Sequence, residues 1–128
     1  MPTDYDDRDF PIVRLHAYGE STDREVAERI AFIQRHLDER QPMALVFDTT
    51  GGTALSAKQR KMWTDWLSTH DRLIRRYMVG CAIVASSSVV RGVFTAVFWV
   101  YRPPMPYTFV GTAAEADAWV RDRLERAS

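Results

Sequence analysis

The fold of this protein is decided by the stretch Pro42-Met-Ala-Leu-Val-Phe-Asp48-Thr-Thr-Gly-Gly-Thr-Ala-Leu-Ser56-Ala-Lys-Gln-Arg-Lys-Met-Trp63. Residues 43–47 form an unbroken apolar run between Pro42 and Asp48, which is typical of a strand covered on both faces of a sheet. Two glycines then favour a turn, and Ser56-Ala-Lys-Gln59 is a capping box that predicts the start of a helix. A strand, a turn and a helix in this order indicate a largely parallel sheet.

The rest of the chain continues the alternation of strands and helices. We expect further strands over residues 10–18, 79–85 and 107–110, with residues 3–9 as a weak edge strand. Capping boxes at residues 22–25, 56–59 and 112–115, and a serine cap before residue 89, predict four helices, over residues 23–40, 56–76, 89–101 and from 113 onward. The sequence therefore predicts one layered α/β domain over residues 1–128, with a core of about 10–125 and a central, mostly parallel sheet of four to five strands.

Composition restricts the class of protein. The chain has 128 residues, 46% of them hydrophobic and 27% charged, and its formal net charge is zero, so nothing favours binding to nucleic acid. A single cysteine, Cys81, and a polar, acidic start to the sequence favour a cytoplasmic protein. Residues 78–101 are mostly apolar, but Ser86-Ser-Ser88 and Arg91 interrupt them, so we expect a strand followed by a helix and no membrane span.

The loop after the decisive strand resembles a catalytic loop only in part. Asp48-Thr-Thr-Gly-Gly-Thr53 is similar to the aspartyl-phosphate loop of haloacid-dehalogenase-like phosphatases, but Thr50 stands where those enzymes place a second Asp. The glycine and lysine order of a P-loop is absent, and the three histidines do not fall at metal-ligand spacing. We therefore expect no catalytic set, no metal and no cofactor.

The same loop suggests two kinds of non-catalytic site. A helix N-terminus flanked by hydroxyl groups and a lysine favours an anion, or a phosphate added to a hydroxyl, at Thr53, Ser56 and Lys58. Loops at the carboxyl ends of neighbouring parallel strands are where open α/β sheets bind ligands, and this predicts a ligand site at Asp48, Thr49, Thr50, Ser86 and Arg91.

The order of these elements resembles one known family. The apolar strand ending in Asp48, the helix after it and the final Phe109-Val-Gly-Thr-Ala-Ala-Glu-Ala-Asp-Ala-Trp119 look like a STAS domain, and are similar to the sporulation anti-sigma-factor antagonist group, over residues 10–125. The resemblance implies a phosphorylated serine in an Asp-Ser-Ser-Gly-like motif that governs partner binding. That motif falls at residues 56–59 here, where Lys58 takes the usual acceptor position, which leaves Ser56 or Thr53 as substitutes.

The helix predicted over residues 89–101 is apolar nearly all round, and one sheet cannot cover it, so either Trp63, Trp66 and the proline-rich segment at residues 102–106 cover it within the chain or another molecule does. We therefore expect a non-enzymatic regulatory module of STAS-like type that binds a protein partner or a second copy through this helix and the start of the preceding one. The predicted interaction surface is Phe94, Phe98, Trp99 and Tyr101. The alternative is a small apolar or anionic ligand, which would be lipid-like if Trp63, Trp66, Phe94 and Phe98 line a pocket.

Overall fold

The computed structural model describes residues 3–17, 19–52 and 55–127, and within these ranges it contains five strands and five helices. The strands are β1 (Thr3–Asp6), β2 (Ile12–Ala17), β3 (Met43–Asp48), β4 (Met78–Val84) and β5 (Tyr107–Val110). The helices are α1 (Asp23–Asp38), α2 (Ala57–Thr69), α3 (Asp71–Tyr77), α4 (Ser88–Val100) and α5 (Ala113–Ala127). The predicted α/β class is confirmed.

The strands form one sheet in the order in which they occur in the chain. β1 runs antiparallel to β2 at one edge, and the pairs β2–β3, β3–β4 and β4–β5 are parallel. β3 is the middle strand, and its residues 43–47 are all buried, as the unbroken apolar run predicts. The loops after β2, β3 and β4 therefore lie together at the carboxyl-end edge of the sheet.

The two faces of the sheet are covered by different sets of helices. On one face, large side chains such as Phe47 and Ile83 pack against residues of α1, α2, α3 and α4. On the other face, Ala44 and Ala82 pack against Ala116 and Val120 of α5. Because these residues are small, the backbone of α5 lies close to β3 and β4, whereas bulky side chains separate the four-helix layer from the sheet.

Two predicted capping boxes start helices in the structure. The Thr22 hydroxyl accepts a hydrogen bond from Glu25 N at 3.1 Å, and Thr22 N donates to the Glu25 carboxylate at 2.8 Å. Ser56 and Gln59 exchange the equivalent pair of bonds at the start of α2. These bonds satisfy backbone donors that a helix start leaves free, which explains the sharp N-terminal boundaries.

One predicted helix is two helices in the structure. The apolar spacing through residues 66–74 predicts a continuous helix to about Arg76, but the backbone leaves the helical region at His70, with φ −109° and ψ 23°. His70 N still bonds to Trp66 O, and Asp71 begins α3, where an acidic residue suits a helix N-terminus. Trp66 and Ile74, which lie on either side of the break, are both buried in the same core.

Within the part of the chain that the structure describes, no helix has both the length and the apolar character that a membrane crossing requires.

Candidate functional site

The loop after β3 is held by its own polar side chains. The Asp48 carboxylate accepts a hydrogen bond from Thr50 N at 2.9 Å, and the buried Thr49 donates its hydroxyl proton to Val84 O on β4. Gly52 lies so close to β2 that a Cβ there would be 2.9 Å from Ala17 O. These contacts give Asp48 and Thr49 structural roles and tie the ends of β2, β3 and β4 together.

The side chains that follow β4 do not join the loop after β3 in a common site. Ser86 is exposed, and Ser87 caps α4 by accepting from Val89 N and Val90 N. The Arg91 guanidinium donates to Ala85 O at 2.9 Å and lies over the ring of Phe109 on β5. Arg91 therefore points to the β5 side, away from Asp48 and Thr50, so the five predicted ligand residues do not gather around one point.

The predicted anion site at the start of α2 is only partly described. Thr53 lies outside the described residues. The exposed Ser56 serves as the helix cap, and the Lys58 ammonium lies 3.1 Å from the Asp23 carboxylate on α1. The carboxylate beside Lys58 offsets the positive charge that an incoming anion would meet.

The predicted interaction surface divides between the two sides of α4. Phe94 and Phe98 are half-buried and face the sheet, where their rings contact Phe109. Tyr101 is half-buried too, and its hydroxyl donates to the Asp71 carboxylate at the start of α3. Trp99 alone of the four faces outward, with 86% of its surface exposed.

The contact between Tyr101 and Asp71 joins the end of α4 to α3. The hydrogen bond from Tyr101 is the main reason that the pKa of the Asp71 carboxyl lies below its usual value, and the same bond raises the pKa of the Tyr101 hydroxyl. Asp71 also pairs with Arg75 at 3.1 Å. The C-terminal end of α4 is therefore anchored by one polar contact.

An apolar cavity of about 50 Å³ lies between α2, α4 and the sheet. Trp63 and Trp66 of α2 line it together with Phe94 and Phe98 of α4, so the structure brings together the four aromatic residues that the sequence suggested for a pocket. Cys81 lines it from β4, and complete burial raises the pKa of this thiol to about 12. The other lining residues are aliphatic, aromatic or methionine side chains.

A second cavity of about 30 Å³, lined mainly by apolar residues, adjoins the first near the ends of β2 and β3. Arg29 lines it, with only 1% of its surface exposed, beside Thr49, Ser21 and Gly52. Sequence reasoning missed Arg29, although a signal was present. Arg29 lies three residues after Val26 and four before Ile33, which places it on the buried face of α1.

The histidines take separate structural positions. His36 is buried at the end of α1, with its ring nitrogens 3.1 Å from an Asp7 carboxylate oxygen and 3.3 Å from one of Glu39. His16 contacts Thr50 O, and His70 contacts Trp66 O. Among the described residues, no three His, Cys, Asp or Glu side chains converge on a point where they would hold a metal ion.

Comparison with protein-family models and with curated protein sequences finds no match for this chain.

Proposed function

We propose that the protein is a non-enzymatic regulatory module of STAS-like type that binds a protein partner through the outer side of α4 and the start of α2. The observation that supports it most is an exposed stripe of small and apolar residues along α4. We call this the outer stripe, and its members are Val89, Gly92, Ala96, Trp99 and Val100.

The outer stripe lies on one side of the helix because Val89, Gly92, Ala96 and Trp99 follow one another at three or four residues, and Val100 is four residues after Ala96. Val89 is 67% exposed, Trp99 86% and Val100 82%. An exposed tryptophan next to an exposed valine is typical of an anchor for another protein, because burying such groups supplies much of the energy of an interface. The core side of α4 is occupied by Phe94 and Phe98, so the stripe is additional apolar surface.

The charges beside the outer stripe indicate the kind of partner. An open groove between α2 and α4 is lined by Arg60 and Lys61 on one side and by Ala96 and Val100 on the other. Lys61 is paired with Asp65, while Arg60 donates to Leu55 O. Asp65 offsets the charge of Lys61, whereas Arg60 donates to a neutral acceptor and keeps its positive charge at this edge of the groove. We therefore propose that the partner presents apolar anchors with an acidic residue that faces Arg60.

A pair of surface variants tests this proposal. Trp99→Glu should abolish capture of the partner from an extract of the native host, because it places a charge at the centre of the apolar contact. Ala118→Glu is the matched control, since Ala118 is exposed on α5, on the opposite face of the sheet. Both variants should keep the thermal stability of the wild type.

Comparison of partner capture by the wild type and by the two variants decides whether the proposal holds. A protein that is captured by the wild type and by Ala118→Glu but lost with Trp99→Glu supports the proposal. Retention of the same protein by Trp99→Glu would contradict it. Light scattering distinguishes the homodimer, because a wild-type dimer that Trp99→Glu makes monomeric would identify a second copy as the occupant in place of an acidic partner.

The second candidate function is binding of a small apolar ligand in the apolar cavity. The convergence of Trp63, Trp66, Phe94 and Phe98 on one space supports it. At about 50 Å³ the cavity is small compared with the engineered cavity of roughly 150 Å³ that binds benzene. A ligand must therefore be narrow or must displace α4, and native mass spectrometry of protein purified without detergent would detect one that is retained.

A further inference from the structure

An open groove of about 670 Å³ lies on the surface where α1 ends and where α2 is followed by α3. Because α1 leads into β3 and α3 leads into β4, the groove is near the amino-end edge of the sheet, away from the loop that carries Asp48. We call it the arginine groove, and its lining residues are Arg40, Ser68, Thr69, His70, Asp71, Arg72, Leu73 and Arg76. No member of the outer stripe is among this described lining, so the groove is a second surface.

Two arginines of the groove occupy positions where the fold does not favour arginine. Arg40 follows the C-cap of α1 with φ 55°, a left-handed backbone conformation that is usually taken by glycine or asparagine at this position. Arg72 lies in the first turn of α3, where the helix dipole disfavours a positive charge. Arginine at both positions therefore costs stability, which is typical of residues that are kept for a function.

The arginine groove holds more positive charge than its own carboxylate can balance. Asp71 is the one acidic residue in the described lining, and it already binds Arg75 and the Tyr101 hydroxyl. Within the described parts of the chain, none of the three arginines that line the groove forms an ion pair. An external anion would supply the missing negative charge.

Two of these arginines come together at the Tyr77 hydroxyl. Arg76 donates its Nε proton to this oxygen at 3.1 Å, and Arg40 also lies near it, since Arg76 and, more weakly, Arg40 lower the pKa of Tyr77. Arg72 is four residues before Arg76, so the two lie on the same side of α3. The end of α1 and one side of α3 therefore direct three guanidinium groups to one groove.

We propose that the arginine groove binds the phosphate group of a small, soluble phosphate ester, whose oxygens accept hydrogen bonds from Arg40, Arg72 and Arg76. A phosphate monoester carries a charge of about −1.5 to −2 near pH 7 and has three acceptor oxygens, so it can bind several guanidinium groups at once. A carboxylate carries a single charge, which one bidentate arginine can satisfy. The volume of the groove falls in the range of about 300–1,000 Å³ that is usual for small-molecule sites, which leaves room for the organic part of the ester.

Three probes of similar size test the choice of a phosphate group. Glycerol 3-phosphate, glycerate and glycerol are titrated into the wild-type protein by calorimetry at constant ionic strength. Glycerol 3-phosphate should bind at least about tenfold more tightly than glycerate, as expected for an additional hydrogen bond between charged groups, and glycerol should not bind. Equal binding of glycerol 3-phosphate and glycerate would overturn the inference, as would no binding of glycerol 3-phosphate at millimolar concentration.

Two further probes distinguish the source of the phosphate group. Inorganic phosphate should bind more weakly than glycerol 3-phosphate, because it lacks an organic part that contacts the rest of the groove. Vesicles of phosphatidylcholine that contain phosphatidic acid should not capture the protein. Tighter binding of inorganic phosphate would identify the free ion as the ligand, and capture by the vesicles would identify a lipid head group. Either result would overturn the soluble ester.

Arginine variants test the groove directly. Arg40→Gly should weaken the binding of glycerol 3-phosphate about tenfold. It should also raise the melting temperature by roughly 2–4 °C, because glycine adopts the left-handed backbone without strain, so unfolding cannot explain the loss of binding. Arg72→Gln should weaken binding by a similar factor.

Arg121→Gln is the matched control, since Arg121 is exposed on α5 and its replacement removes the same charge. This variant should bind glycerol 3-phosphate as the wild type does. Wild-type affinity in both Arg40→Gly and Arg72→Gln would overturn the inference. An equal loss of affinity in Arg121→Gln would overturn it too, because net charge rather than the groove would then decide binding.

Discussion

Ser56 combines a structural role with a suggested regulatory one. Its hydroxyl accepts from Gln59 N at 3.1 Å, and the buried Gln59 side chain donates to Ser21 O and to Asp23 at the start of α1. The cap therefore fixes two helix starts relative to each other. A phosphate on Ser56 would sit beside the pair formed by Lys58 and Asp23, where one partner attracts it and the other repels it.

Replacement of Ser56 by alanine should lower the free energy of unfolding by about 1 kcal/mol, the usual cost of losing a helix cap. Ser56→Asp should restore most of the loss because a carboxylate oxygen can accept the same hydrogen bond. Urea denaturation followed by circular dichroism measures both, with Ser68→Ala, an exposed position inside α2, as the control. A wild-type stability for Ser56→Ala would show that the cap contributes little.

The buried thiol of Cys81 predicts a pH dependence of stability. Its pKa is raised to about 12 by burial, while an unfolded cysteine titrates near 9. The folded state therefore keeps a proton that the unfolded state releases, so the contribution of Cys81 is complete below pH 9 and is lost as the pH rises toward 12. The slope approaches about 1.4 kcal/mol per pH unit.

Comparison with Cys81→Ala isolates this contribution. The free energies of unfolding of the wild type and the variant are measured in urea at pH 8, 9 and 10. The two values should converge or cross as the pH rises, because only the wild type loses the stability that the protonated Cys81 thiol contributes. The raised pKa values of Tyr5 and Tyr101 affect both proteins equally. A difference that stays constant from pH 8 to pH 10 would indicate that the thiol reaches solvent in the folded state.

At the scale of secondary-structure elements, α4 makes the sparsest backbone contacts with the other described elements. Its inner side rests on aromatic rings above a cavity, and its ends are held by the Ser87 cap, the bond from Arg91 to Ala85 O, and the contact of Tyr101 with Asp71. Elements with few buried contacts open at a lower free energy than the core. We expect α4 to open before the sheet unfolds.

Tyr101→Phe should make this opening more frequent. Loss of one hydrogen bond to a carboxylate, worth about 1.5 kcal/mol, should raise the rate at which a small thiol reagent modifies Cys81 about tenfold. The measurement is made in native buffer, with Tyr107→Phe on β5 as the control. Unchanged labelling of Tyr101→Phe would mean that this contact does not limit access to the apolar cavity.

At the scale of the whole molecule, the two helical layers are packed by different means. In the α5 layer, small residues let the backbone of α5 lie close to β3 and β4. A Cβ at Gly80 would lie 2.8 Å from the Trp119 ring and 3.1 Å from Cγ of Arg123. The four-helix layer relies on large aromatic residues and leaves a cavity, and around the exposed Gly92 of α4 nothing lies within 4 Å of a Cβ.

Two glycine to alanine changes should therefore act in opposite directions. Gly80→Ala should lower the free energy of unfolding by about 1–3 kcal/mol, because the added methyl group overpacks the contact with Trp119. Gly92→Ala should raise it by about 0.5–1 kcal/mol, because alanine favours the helix and meets no neighbour. Thermal and urea denaturation of the two variants check both signs, and destabilisation by Gly92→Ala would show that α4 packs more closely than described.

Much of the architecture could be predicted because residues that are buried in strands and helices recur at regular positions in the sequence. The apolar run before Asp48 and the capping boxes at Thr22 and Ser56 all appear in the structure where they were expected. The break at His70 was not predicted, because Trp66 and Ile74 keep helical spacing across it and the turn that separates α2 from α3 leaves the apolar period intact.

The candidate site was less predictable than the fold. Patterns show which face of an element is buried, so the meeting of Trp63 and Phe94 under α4 could be foreseen. Where a long side chain such as Arg91 points is decided by tertiary contacts, in this case with Ala85 O and the ring of Phe109. The burial of Arg29 was not predicted, because the apolar residues around it give a complete helical pattern without it.

The agreement between strand order in the sheet and strand order in the chain has a consequence for synthesis. Each new strand can join the edge left by the previous one, so the sheet can grow in one direction as the chain leaves the ribosome, without waiting for distant partners. The side of the sheet that carries Ile12, Val46 and Val84 stays uncovered until α5 has been made. Ribosomal pauses between β4 and α5 should therefore be the moment at which the nascent chain is most exposed to aggregation and depends most on chaperones.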